Sequence, residues 1–371
     1  MKRITTDIAI VGAGSAGLCA AYQAGSAGAK VLVIDENRRP GGQLFKQLHK
    51  FFGSSAHRAG TRGFEIGRQL LEQVEGSGVT VWLDSVVYGM EKDRSLGVIH
   101  NGTNVVVEAK KVIVATGAKE NYMAFPGSTL PGVMGAGAAQ TMANINRVLP
   151  GERIVMLGSG NVGLIVSYQL MQAGADVLAI VEAAPKIGGY GVHAGKIRRA
   201  GVPILVSHTI TRAIGEKEVE QVEISEVDEK FRPIPGTEQI LDADTICLAV
   251  GLNPMTELLW MAGCRFCFIP AFGGHVPMHD IHMETTVPGL YVAGDVTGVE
   301  EASSAMEEGN LAGVSAASSL GLIPEDEAEK RQKEIVGRLN ALRSGMFGER
   351  RRNAKEDQLK KTAEYYAALK K

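Results

Sequence analysis

One segment of the chain occurs twice. Residues 12–36 read GAGSAGLCAAYQAGSAGAKVLVIDE, and 146 residues further on residues 158–182 read GSGNVGLIVSYQLMQAGADVLAIVE. Of these 25 positions 13 are identical, among them the three spaced glycines, Leu18/Leu164, Tyr22/Tyr168, Gln23/Gln169 and Glu36/Glu182. Self-similarity of this kind restricts the fold more than any isolated motif. The first copy follows a short apolar run, 8–11, and the second unit likewise begins with residues 153–157. Strand, glycine turn, helix and strand in that order make a βαβ unit, so two Rossmann-like α/β sheets are expected.

Each glycine has a physical task. Gly12 permits the tight turn, Gly14 lets backbone approach a pyrophosphate, and Gly17 lets the helix pack close on the strand; Gly158, Gly160 and Gly163 repeat the G-x-G-x-x-G spacing. The helix N-terminus adds free N–H groups and partial positive charge for phosphates. An acid at the end of the second strand accepts hydrogen bonds from a ribose. Asp35 and Glu36 stand there in the first copy, and Glu182 after Val181 in the second. No Arg follows Glu182 closely to pair with a 2′-phosphate. A nucleotide in the second unit is therefore expected to be NAD or another 2′-hydroxyl nucleotide rather than NADP.

The length of 371 residues predicts two to three domains. With 39 basic against 41 acidic residues the net charge is −2, which offers no footprint for nucleic acid. The first core strand begins so near the start that no signal peptide is expected, and no apolar run reaches the roughly 18 residues of a membrane span. A cytoplasmic protein is the expectation. Four scattered cysteines make no disulfide framework.

Further along, Gly42 and Gln43 follow the first ribose acid in a Pro-Gly-Gly-Gln loop that either approaches a cofactor or simply turns. Residues 46–62 are basic and aromatic, with His49, Phe51, Phe52 and His57, and are expected as a solvated surface loop or the edge of a site. A helix is predicted over 61–75 and a strand over 79–83; 86–107 alternates as strands about an Asn101-Gly102 turn. A buried strand over 111–117 ends in Ala-Thr-Gly, and Pro126 and Pro131 punctuate a crossover. Strands are expected over 203–223 and 243–251. The strand 290–293 delivers Gly294 and Asp295 before a helix starting near Glu301 and including Ala302. A carboxylate there suits a cofactor's polyol chain, and the helix dipole suits charge on a reduced ring. Residues 325–371, rich in Lys, Arg and Glu, are expected as an exposed helical tail, with docking to a partner as the sharper alternative.

The ordered set GAGSAG, GGQ, VATG, GSGNVG, AVGLNP and VAGD resembles the flavoproteins with two dinucleotide-binding domains, over residues 1–320. The resemblance implies FAD held by Gly12, Gly14, Ser15, Ala16, Gly17, Asp35, Glu36, Gly42, Gln43, Thr116, Gly117, Gly294, Asp295 and Ala302. It implies a second nucleotide, NAD(H) or ATP, held by Gly158, Gly160, Asn161, Val162, Gly163 and Glu182. It also implies a discontinuous FAD domain, 1–125 with 268–322, an inserted nucleotide domain, 126–267, and a helical tail, 323–371. GGQL and the short length are similar to thioredoxin reductase, but Ala136 and Ala139 stand where its two cysteines would be, so disulfide exchange by that route is excluded.

LPGVMGAGAAQ, GGHVPMHD, METTVPGLYVAGD and EEASSAMEEGNLAG look instead like the α-type subunits of heteromeric amine and imino-acid dehydrogenases: dye-linked proline and hydroxyproline dehydrogenases, opine oxidase, hydrogen cyanide synthase and sarcosine oxidase. That resemblance implies an electron-transferring subunit beside a β subunit of D-amino-acid-oxidase type and a small iron–sulfur subunit, with FMN or a [2Fe–2S] cluster on partners. A cluster needs four thiolates, and this chain's last cysteine is Cys267. The alternatives are a stand-alone NADH-dependent flavin reductase and an assembly subunit with a structural nucleotide.

Cys264 and Cys267 form a C-x-x-C, either a dithiol or a pair of small buried residues. His275, His279 and His282 invite a metal, but Pro277 forbids one regular helix presenting all three, and no metal is expected. No catalytic side chain is expected either, because an isoalloxazine ring carries the electrons itself.

Overall fold

The computed structural model describes residues 2–369, the side chains of residues 346 and 347 excepted. Residues 1, 370 and 371 of the expected domain limits lie outside it. The chain forms two compact units, Met1–Lys119 with Asn253–Lys371, and Glu120–Leu252. The resemblance puts these limits at 125/126 and 267/268 instead. Residues 253–267, with both Cys264 and Cys267, thus fall in the first unit.

In chain order the first unit begins with β1 (Lys2–Val11), α1 (Ser15–Ser26), β2 (Val31–Ile34), α2 (Gly63–Glu75), β3 (Thr80–Trp82), β4 (Ser85–Met90), β5 (Leu96–His100) and β6 (Thr103–Val114), followed by a short β7 (Ala118–Glu120). The second unit contains β8 (Val133–Gly135), α3 (Ala136–Thr141), β9 (Arg153–Leu157), α4 (Asn161–Gln172), β10 (Asp176–Glu182), α5 (Gly191–Arg199), β11 (Ile204–Val206), β12 (His208–Ile214), β13 (Gln221–Glu226), β14 (Gln239–Asp242) and β15 (Thr245–Leu248). After the short β16 (Leu252–Pro254) come α6 (Glu257–Met261), β17 (Phe266–Ile269), β18 (Gly274–Pro277), β19 (Leu290–Val292), α7 (Ala302–Ser318), α8 (Glu325–Leu342) and α9 (Gly345–Leu369).

In the first unit β3, β2, β1, β6 and β19 form a parallel sheet, and the first half of β6 continues into the antiparallel β4–β5 meander. Ile8 and Ile10 pack on one face with α1, α7 and α8; Ala9 and Val11 pack on the other with the meander and α6. Burial on both faces explains the continuous apolar runs of these strands. Asn101 and Gly102, at φ 49° and 70°, make the tight turn between β5 and β6. The second unit repeats the plan, with β11, β10, β9, β15 and β8 parallel and β12–β13–β14 antiparallel.

Small residues bring α1 and α7 together. A Cβ on Gly309 would overlap the Ala16 carbonyl, and one on Gly313 would overlap that of Ala20. This close packing sets the start of α7 and the preceding Gly294–Thr297 loop beside the N-terminus of α1.

The C-terminal helices are not the exposed tail expected from their charge. Ile335 and Leu339 of α8 join the main apolar core, Ala354 of α9 joins a cluster with Phe272, and Arg343, Lys355, Gln358 and Thr362 are buried. Buried charge is tolerated when paired, and the partners, Glu308 on α7 and Glu300 just before it, are described below.

Candidate functional site

Gly12 and Gly158 share φ +104°, a conformation that favours glycine, and a Cβ on either would overlap a carbonyl of the neighbouring strand end, Ala115 or Ala249. A Cβ on Gly17 would overlap the Gly12 carbonyl, and one on Gly163 that of Gly158. Gly14 and Gly160 differ from these. Both precede their helices in extended conformation, and a Cβ on either meets no atom within 4 Å. Their bareness has no packing reason inside the protein and leaves room for a group approaching from outside.

Neither α1 nor α4 has a side-chain cap or an acid in its first turn. By contrast, the start of α3 is taken by Glu120, whose carboxylate accepts the Gly137 N–H at 2.6 Å and the Ala138 N–H at 3.2 Å. A carboxylate thus caps the helix that begins at Ala136 and contains Ala139. The open ends of α1, at Ser15 and Ala16, and of α4, at Asn161 and Val162, suit phosphate oxygens.

Asp35 is buried at the end of β2; its Oδ2 accepts the Ala13 N–H at 2.6 Å and its Oδ1 the Asn37 N–H at 2.8 Å. Glu182 does the same for the second turn. Its Oε2 accepts the Ser159 N–H at 2.9 Å and the Ser159 hydroxyl at 2.7 Å, and its Oε1 accepts the Ala184 N–H at 2.9 Å. The repeat aligns Glu182 with Glu36, but the strands do not. Ile8 pairs with Val31 and Ile154 with Val177, yet Val11 pairs with Ile34 while Leu157 pairs with Val181. A bulge between Val177 and Ala179 inserts one residue into β10, so Glu182 occupies the place of Asp35. Glu36 is exposed beside it.

The Gly-Gly loops fold back over both turns. The Gly41 N–H donates to the Ala13 carbonyl at 2.6 Å, and a Cβ on Gly42 would lie 2.9 Å from Gly14 Cα. Gln43 lies in the short helical turn that follows. The second loop is one that sequence reasoning missed. There the Gly189 N–H donates to the Ser159 carbonyl at 2.8 Å, and a Cβ on Gly189 would lie 2.9 Å from the Gly160 carbonyl carbon. Asn161 Oδ1 accepts the Tyr190 N–H at 2.9 Å. The clue is a Gly188-Gly189 pair after the second strand, matching Gly41-Gly42 after the first.

At the end of β6, Thr116 donates its hydroxyl to the Met255 carbonyl at 2.7 Å, and Gly117 takes φ +74°. At the end of β19, Gly294 takes φ +77°, and a Cβ there would lie 2.9 Å from the Ala16 Cβ. Asp295 follows, partly open to the surface, and accepts the Glu300 N–H at 3.3 Å. Its pKa is pushed up to about 7, first by burial of the carboxyl and then by the Glu308, Glu300 and Glu301 carboxylates, against the pull of the Glu300 N–H. Such a group gains from hydroxyl donors. Ala302 opens α7, whose start also lacks a side-chain cap. The first unit therefore gathers Gly12, Gly14, Ser15, Ala16, Gly17, Asp35, Glu36, Gly42, Asp295 and Ala302 around the N-terminus of α1 and the strand ends, and the donor and acceptor set fits a dinucleotide with a polyol chain.

The basic loop is less solvated than its composition implied: His57 is buried, with Nδ1 2.8 Å from Ser54 Oγ and Nε2 3.0 Å from Glu307 Oε1. Cys264 and Cys267 are buried in separate apolar clusters; burial raises both thiol pKa values, and Cys264 Sγ lies 3.5 Å from Thr285 Oγ1. That is the environment of packing residues rather than of a dithiol. His279 is buried, with Nδ1 2.7 Å from the Asp280 carbonyl, whereas His275 is exposed against Phe268.

Among the described residues, no helix is long and apolar enough to cross a membrane. The family model described as pyridine nucleotide-disulphide oxidoreductase matches residues 6–309. The A subunit of opine oxidase from Agrobacterium tumefaciens (strain Ach5) is 30% identical over 85% of this chain and 66% of its own length, so the chain spans just under two thirds of that relative. The HcnB subunit of hydrogen cyanide synthase from Pseudomonas aeruginosa is 27% identical over 94% of this chain and 80% of its own. The crystal structure of T. acidophilum thioredoxin reductase has the same fold, with a TM-score of 0.70 at 23% identity over 85% of this chain and 99% of that one.

Proposed function

The chain belongs to the pyridine nucleotide-disulphide oxidoreductase family, and from that premise we propose that it is the FAD-containing, electron-transferring subunit of a heteromeric amine or imino-acid dehydrogenase. Electrons from oxidation of a C–N bond, of the proline or hydroxyproline type, arrive from a β subunit of D-amino-acid-oxidase type. They leave to NAD or to a non-nicotinamide acceptor. A small iron–sulfur subunit completes the assembly.

The observation that carries this proposal is the pairing of two facts. The relatives that match most of the chain are named as subunits. The helix that would hold a thioredoxin-reductase dithiol has Ala136 and Ala139, with Glu120 on its N-terminus.

The first unit would hold FAD, which supplies reversible two-electron redox chemistry when bound. The N–H groups of Ser15 and Ala16 receive the pyrophosphate, Gly14 gives it access, Glu36 and Asp35 accept ribose hydroxyls, and Asp295 accepts from the ribityl chain. Gly42, Gln43, Thr116, Gly117, Gly294 and Ala302 shape the wall. In the second unit Gly158, Gly160, Asn161, Val162, Gly163 and Glu182 would receive NAD(H) or ATP.

The test is anaerobic. The purified chain, alone and with its co-expressed neighbours, is followed at the flavin absorbance before and after NADH or proline. Bleaching by proline only with partners present is expected. Bleaching of the isolated chain by NADH would make it a reductase in its own right, and absence of flavin in both preparations would overturn the proposal.

A further inference from the structure

We infer that Arg343 and Lys355, from the two C-terminal helices, are positioning residues for the flavin site: through Glu308 they fix the loop that carries Asp295. The inference rests on the assignment of the first unit to FAD.

Glu308 lies on α7, is buried, and divides its oxygens between two tasks. Oε2 accepts the Gly294 N–H at 3.1 Å and the Thr297 hydroxyl at 2.8 Å, both ends of the loop that includes Asp295. Oε1 receives Arg343 Nη2 at 2.6 Å and Lys355 Nζ at 3.1 Å. Burial alone would raise the pKa of this carboxyl, but Lys355 and Arg343 hold it well below the ordinary glutamate range. Without them a buried carboxylate would protonate or pull away, because an unpaired charge in a low-dielectric interior is strongly disfavoured.

The hold is redundant on the loop's other side. Lys355 Nζ donates to Thr297 Oγ1 at 3.2 Å, and Gln358 Nε2 donates to the Pro277 carbonyl at 2.9 Å and the Thr297 carbonyl at 3.3 Å. Lys355 also sits 5.0 Å above the Phe272 ring, against which a Cβ on Gly298 would collide. Arg343 bonds Glu300, the residue whose N–H Asp295 accepts, with Nη2 2.7 Å from Oε1. Arg351 of α9 reaches Glu301, the residue before α7, at 3.0 Å. The loop thus has one face toward α1, where Gly294 meets Ala16, and the other tied to α8 and α9. The carboxylates acting on Asp295 are Glu300 and Glu301 beside it and Glu308 on α7; Glu308 in turn faces Arg343 at the end of α8, Lys355 on α9 and the imidazole of His279 before β19.

The experiment measures FAD affinity of the full chain by fluorescence quenching across pH 5–9, with circular dichroism as a fold control. Lys355→Met is expected to lose about tenfold or more in affinity, whereas Lys355→Arg keeps the charge and stays within about threefold of wild type, tenfold being about 1.4 kcal/mol. Glu308→Gln removes one of the carboxylates that disfavour ionised Asp295, so the midpoint of the pH dependence should move to lower pH. Where Lys355→Met does not fold, Thr297→Val, which removes only the hydroxyl between Glu308 and Lys355, takes its place and should also weaken binding. Wild-type affinity in Lys355→Met or Thr297→Val, with an unmoved midpoint in Glu308→Gln, would overturn the inference while leaving the flavin site standing. Failure of the wild-type chain itself to bind FAD would overturn the site and the inference with it.

Discussion

Asp35 receives the Ala13 N–H at 2.6 Å and Glu182 the Ser159 N–H at 2.9 Å, the same contact made from positions one residue out of step in the repeat. Each carboxylate satisfies a turn N–H that would otherwise be stranded. Asp35→Ala and Glu182→Ala are each expected to cost about 1–3 kcal/mol, read as a lowered thermal unfolding midpoint of the apo chain.

Gly14→Ala and Gly17→Ala should separate binding from folding. The added methyl at position 14 meets no protein atom within 4 Å, so stability stays within about 0.5 kcal/mol while FAD affinity falls. At position 17 it overlaps the Gly12 carbonyl, and overpacking of this kind costs about 1–3 kcal/mol. Equal loss of stability in both would contradict the assignment of Gly14. Gly160→Ala makes the same forecast for nucleotide binding in the second unit.

Burial, with Lys355 nearby, lowers His279 to a pKa of about 4 from the ordinary 6.5. The unfolded chain therefore binds more protons between these values, and stability is lost as pH falls from about 6.5 to about 4. His279→Gln should flatten that limb of a stability–pH curve measured by denaturant unfolding; an unchanged slope would refute the buried neutral imidazole.

Asp295 works with the opposite sign. Its pKa is raised from 3.8 to about 7, so the folded apo chain binds the extra proton, and stability falls as pH rises through that window and stays reduced above it. Asp295→Asn is expected to be more stable than wild type above pH 7 and yet to bind FAD less well. Hydroxyl donors to the ionised carboxylate would make wild-type FAD binding strengthen as pH rises through about 7, measurable by titration at pH 6 and pH 8.

Much of this was legible in the chain because the signals were local. β2 and β9 span the apolar runs read as strands, and α1 starts one residue after Gly14. What escaped depends on contacts distant in sequence. The equivalence of Glu182 to Asp35 turns on a bulge, which is a matter of hydrogen-bond register and leaves no mark in residue spacing. Arg343 and Lys355 lie in a charged, helix-prone stretch that looks solvated until Glu308 appears beside them. His57 looked like one more basic surface residue because its partner, Glu307, lies 250 positions away.

The family pattern stops at residue 309, but the buried ion pairs of Glu308 reach on to Arg343 and Lys355. The packing and ion pairing of the first unit therefore extend past its signature. A truncation made at the edge of the pattern would cut α7 in its middle and strip from Glu308 both the cations that neutralise it and the helices that cover it. Such a fragment would be expected to aggregate rather than report on the activity.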